Sequence, residues 1–148
     1  MFRFLKNFFR TPATPEPFFE TSLGVSFCFE TDLGWEATVQ LDGSKATLVL
    51  GSNGERPNQQ MLVTALFWID EWKIEFPKLM GYIRSEIESW RFEPNPPVVE
   101  NLNVDSLNIL WPDQPNTCMI YFTDPHDDIR HYHLTLEGRT PISFSYDD

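Results

Sequence analysis

Residues 57–91, PNQQMLVTALFWIDEWKIEFPKLMGYIRSEIESWR, decide how the rest of the chain is read. Leu62, Ala65, Leu66, Ile69 and Trp72 recur every three or four residues, which is the spacing of one buried helix face. After Pro77 the same pattern resumes through Met80, Ile83, Ile87 and Trp90. A proline inside a helix removes one donor and collides with the preceding turn, whereas in a first turn it costs nothing. The spacing therefore predicts two helices, over 58–72 and 77–91, with Pro77 opening the second. Phe67, Trp68 and Phe76 make the first helix apolar on more than one side. Trp68 lies about 100° round the helix from Ile69 and Phe67, which marks it as a candidate exposed anchor for a partner.

On either side of this block the period falls to two. Upstream, residues 22–30 alternate, and Trp35, Ala37, Val39 and Leu41 stand against Glu36, Thr38 and Gln40. Asp42-Gly43 is a hairpin turn signal, with Ala46 to Leu50 as the returning strand. Downstream of Pro94-Asn95-Pro96-Pro97, strands are expected over 106–111, 117–123, 129–136 and 142–146. Strands, helices and strands in that order predict an α+β domain: an antiparallel sheet of six or seven strands with two helices packed on one face. The domain is expected to span 18–148. Residues 1–17 precede it as an amphipathic Phe-rich leader and a stiff linker containing Pro12, Pro15 and Pro17.

Composition narrows the function. The chain holds 11 Lys and Arg against 22 Asp and Glu, a net charge of −11. Arg3, Lys6 and Arg10 account for the first ten residues, which hold no acid, so residues 11–148 carry −14. Such a surface repels phosphate backbones, so nucleic acid is not an expected partner, and it steers basic proteins toward it. Contact of residues 1–10 with a membrane surface would be weak, with only three cations to hold it. No apolar run approaches the ~20 residues of a membrane span. Two cysteines, Cys28 and Cys118, read as buried free thiols in a reducing, cytoplasmic setting; a disulfide between them needs neighbouring strands.

Each constellation that carries chemistry has a plainer alternative. His131 and His133 share a strand face and, with His126 and the nearby aspartates, have the residue types of a divalent-metal site or a small metal-dependent hydrolase. Exposed polar residues alternating on a sheet explain the same letters. The Asp124–Asp128 turn is rich in carboxylates but lacks the spacing of a calcium loop. There is no Gly-x-Ser-x-Gly, no phosphate loop, and no carboxylate marked as desolvated. No cofactor is implied. The partner-binding residues expected of an acidic inhibitor are Asp124, Asp127, Asp128, Asp147 and Asp148, exposed and unpaired along one sheet edge, with Trp68 as the apolar anchor.

The segments Tyr121-Phe122-Thr123-Asp124, His131-Tyr132-His133-Leu134-Thr135-Leu136-Glu137-Gly138 and Pro141-Ile142-Ser143-Phe144 resemble those of a group of small bacterial domains of unknown function. Some of that group are thought to be immunity proteins of polymorphic toxin systems. The resemblance covers about residues 20–148 and rests on hairpin patterning, so it transfers no site residue. It implies a non-enzymatic inhibitor of a basic toxin. A peripheral adaptor tethered by its leader is the remaining alternative.

Overall fold

The computed structural model describes residues 13–147. The expected leader and Asp148 lie outside the described residues. Eight strands form one sheet in sequence order: β1 (Phe18–Glu20), β2 (Val25–Glu30), β3 (Gly34–Leu41), β4 (Ser44–Leu50), β5 (Asn103–Ile109), β6 (Thr117–Asp124), β7 (Asp127–Glu137) and β8 (Thr140–Asp147). Among the described residues a single helix, α1 (Gln59–Ser89), and a 3₁₀ turn at Val99–Asn101 join its halves. All neighbouring strands pair antiparallel except β4 and β5, which run parallel.

Two expectations fail here, for one reason. Pro77 lies inside α1 and does not open a second helix. It is exposed, as is Lys73, so the carbonyl that Pro77 leaves without a donor sits on the solvent side, within reach of water. Buried residues Met61, Ala65, Trp68, Trp72, Leu79 and Ile83 keep their spacing straight past the proline, and packing of that stripe outweighs one missing hydrogen bond. With one helix in place of two, the chain crosses the sheet once and re-enters at the end where β4 began. β5 must then run parallel to β4, so the sheet is mixed, not antiparallel. The strand missed from the sequence is β1, three residues long and too short to show a period.

Local signals place the helix. Asn58 caps it by accepting from the Met61 N–H (2.9 Å), and its amide donates to the Pro112 carbonyl (3.0 Å). At 31 residues, α1 is about 46 Å long, against roughly 25 Å for a seven- or eight-residue strand. The helix outruns the sheet, and residues 90–102 bring the chain back to β5. At the other end β4 and β5 converge so closely that a Cβ on Gly51 would overlap the Leu110 carbonyl.

Register assigns every strand residue to a face. Trp35, Leu48, Leu50, Leu107, Ile109, Ile120, Phe122, Tyr132, Leu134 and Phe144 point toward α1 and are buried. Trp68 and Trp72 pack among them; Trp68 is 0% exposed, so it is a core residue and not the surface anchor expected. The opposite face carries Glu36, Thr38, Gln40, Lys45, Thr47, Asn108, Met119, Tyr121, His133, Thr135 and Ser145, and no described element covers it.

Candidate functional site

Polar chemistry gathers on both sides of β7 and β8. On the helix side, Arg130 is the hub. Its Nε donates to Asp127 Oδ2 (2.5 Å), one terminal nitrogen donates to the Asn95 carbonyl (2.8 Å), and the other lies 3.2 Å from Glu93 Oε1. The guanidinium also stands over the Tyr132 and Tyr146 rings, at 5.5 and 5.2 Å. Asp127 accepts from the backbone N–H groups of Ile129 and Arg130 and from the Tyr132 hydroxyl (3.0 Å). These donors, led by the Arg130 N–H, hold its carboxyl down at about 2. Glu93 is lowered in the same way, chiefly by the Tyr146 hydroxyl at 2.6 Å and then by the Asn95 N–H. Tyr132 moves the other way, because burial and its bond to Asp127 both favour the neutral phenol.

This knot fastens the segment after α1 to the β6–β7 turn. Beside it runs a cleft of about 730 Å³ whose walls include Asn95, Asp124, His126 and Ile129. Asp124 is only 8% exposed and accepts from the His126 N–H, closing the turn. The polar groups named here bond to one another, and the arrangement is that of a clasp.

On the open face, His133 sits between two strands and a ring. Its Nε2 is 2.8 Å from Ser145 Oγ, its Nδ1 is 3.6 Å from Asp147 Oδ2, and the Tyr121 ring centroid lies 5.6 Å away. The order serine, imidazole, carboxylate is that of an acyl-transfer triad. Its geometry is not: the Nδ1–Oδ2 separation exceeds a hydrogen bond, and the Asp147 side chain is 72% exposed. A carboxylate so placed does not fix the imidazole's tautomer, and no described element shelters the face from water.

The residues singled out from the sequence are thus divided among four places. Asp124, Asp127 and His126 belong to the clasp and its cleft, and Asp127 is closed by Arg130, where an unpaired carboxylate was expected. Asp128 is exposed at the hairpin end. His131, His133 and Asp147 lie on the open face, and Trp68 is in the core. The three histidines are not gathered: among the described residues no group of three or more His, Cys, Asp or Glu stands close enough to hold a metal ion. Cys118 is buried, Cys28 is exposed against expectation, and both thiols are free, on strands that are not neighbours. Sequence reasoning missed Arg130 as a hub and Ser145 as a partner of His133. Only the register, which sets Ser145 opposite His133, reveals the second.

No known protein family matches the chain, and neither a curated protein nor a solved structure shows significant similarity to it. Among the described residues no helix is long and apolar enough to cross a membrane.

Proposed function

We propose that the chain is a non-catalytic binding protein that engages a basic protein partner through the open face of its sheet. The carrying observation is that face itself. It is broad, uncovered by any described element, and lined by mainly polar and aromatic side chains with Val49 and Met119 among them. Among the described residues it carries Glu30, Glu36, Glu137 and Asp147 against Lys45 alone. Thr, Ser, Asn and Tyr side chains supply adaptable hydrogen bonds at low entropic cost, and excess carboxylate speeds encounter with a cationic surface. A basic toxin held by an immunity-type inhibitor in the cytoplasm fits both the charge and the likeness to immunity-type bacterial domains. Free thiols at Cys28 and Cys118 suit a reducing compartment.

Zero-length carbodiimide cross-linking in native lysate, followed by peptide mapping, tests this reading. It joins a carboxylate of this chain to a lysine of whatever is docked on it. The expected links run from Glu36, Glu137 or Asp147 to a basic protein. Links confined to helix acids such as Asp70, Glu71 and Glu86 would overturn the choice of face.

A further inference from the structure

The two edges of the sheet are unequal. β1 ends one side with three residues, a length that offers little to pair with. β8 ends the other with eight, and from Ile142 to Ser145 it contains no charge and no proline to blunt it. Among the described residues, no backbone hydrogen bond outside the β7 ladder reaches Ile142–Ser145. A strand edge of this kind is a template for another strand.

Beside the edge lies a groove of about 430 Å³, between Ser89–Glu93 and Phe144–Tyr146. Trp90 stacks on Phe144 at 5.5 Å with the rings 7° from parallel, forming its floor. Phe92 stands at its mouth, 99% exposed, and Ile142 on β8 is 52% exposed. Exposed large apolar side chains beside an unpaired strand edge are what a peptide-adding sheet presents.

We infer that β8 accepts an extended segment of the partner as a ninth strand. Its alternate side chains are apolar on the side of Phe92 and Trp90, and polar or basic on the side of Ser143, Ser145 and Asp147. The period of two follows from strand geometry, since one face of the added strand meets the groove and the other continues the acidic open face. The basic sign rests on the function proposed above; the strand addition does not. A second copy of the chain is the less favoured occupant, because each copy carries −11 and β8 ends in carboxylate.

Hydrogen exchange of the full chain, with and without the peptide Ac-KVTVKV-NH2 at millimolar concentration, tests the inference. The expected result is slowed exchange at Ile142–Ser145. Binding should weaken about tenfold when alternate peptide amides are N-methylated, and severalfold in Phe92→Ala, a side chain too exposed to hold the fold. Equal binding of the methylated peptide, or protection away from β8, overturns strand addition. Neutral Ac-QVTVQV-NH2 binding as well as the lysine peptide would leave strand addition standing and remove the basic partner. A peptide-free protein already dimeric, with Ile142–Ser145 protected, would give the edge to a second copy and overturn the inference.

Discussion

The two faces of β7 and β8 use the same ladder for opposite purposes. Tyr132, Leu134 and Phe144 point toward α1, where Tyr132 stacks on Phe144 and Phe144 on Trp90, and Arg130 closes the end of that layer. One residue along, His131, His133, Ser145 and Asp147 point the other way and meet no covering element among the described residues. Arg130 bonds or pairs with Asp127, Glu93 and Asn95, whereas His133 Nδ1 is buried with no hydrogen-bond acceptor among the described residues. The saturated polar groups around Arg130 hold the chain together, whereas His133 on the other face keeps one ring nitrogen unsatisfied.

The contrast predicts a steep gradient of mutational cost, and its upper end lies at Trp68. Trp68→Ala would leave a cavity beneath the sheet and should cost about 3–5 kcal/mol in urea unfolding. Trp68→Phe should cost much less. The buried indole N–H has no acceptor among the described residues, so removing it forfeits no protein hydrogen bond. If the two substitutions were equally damaging, the packed face would depend on something other than filled volume.

Next comes the clasp. Arg130→Ala removes the donors that bind Asp127 and Asn95 and the cation beside Glu93 and two rings, and a loss of about 2 kcal/mol is expected. Arg130→Lys should recover little, because an ammonium cannot reproduce the planar fork. A midpoint unchanged in Arg130→Ala would erase the distinction between the faces. The same variant should loosen residues 90–97, visible as faster amide exchange there.

A smaller effect tests the clasp by pH. Folding lowers the Asp127 pKa from the ordinary carboxylate value near 4 to about 2. The stability this supplies is therefore complete above about pH 4 and is lost as pH falls from there toward 2. Glu93 is lowered too and adds loss in the same direction. Between pH 5 and 2.5, wild type should lose more stability than Asp127→Asn, which has no proton to take up. Parallel curves for the two proteins would mean that the clasp carboxylate is not preferentially stabilised by folding.

Much of this architecture is readable from the letters. Alternation located most strands, Asp42-Gly43 made the hairpin it promises, and Leu62, Ala65, Trp72 and Ile83 lie on the buried helix face as expected. Leu66, Ile69, Met80, Ile87 and Trp90 are only half-buried, and the stripe is completed by Met61, Trp68 and Leu79. The misreadings have specific causes. Pro77 carries a strong local preference that the long packed stripe overrides, and from that single error followed both the extra helix and the antiparallel sheet. Trp68 looked exposed because the expected face was centred on Leu66 and Ile69; the buried face runs instead through Met61, Ala65, Trp68 and Trp72, three or four residues apart. The acidic face assembled from Asp124, Asp127 and Asp147 failed on parity: Asp124 lies on the packed face of β6, and Asp147 on the open face of β8. Arg130 was visible as a cation three residues from Asp127, but its reach to Glu93 and Asn95 required the return of the chain after α1.

The smallest expected effect concerns Ser145. Its hydroxyl lies 2.8 Å from His133 Nε2, on a face open to water, so Ser145→Ala exchanges that contact for solvent and should shift stability by less than about 1 kcal/mol. The same substitution decides whether the open face is a docking surface or a reactive one. A serine is activated when its imidazole is held in one tautomer by a bonded carboxylate and when donors await the oxyanion. Here the carboxylate stands at 3.6 Å on an exposed side chain. A fluorophosphonate probe should therefore leave the wild-type protein unlabelled, and p-nitrophenyl acetate should be hydrolysed no faster by wild type than by Ser145→Ala. Labelling at Ser145, abolished by His133→Ala, would show that the contacts tighten into a working relay when a substrate excludes water. The open face would then be a site of chemistry, and the difference between the two faces would be one of catalysis against structure.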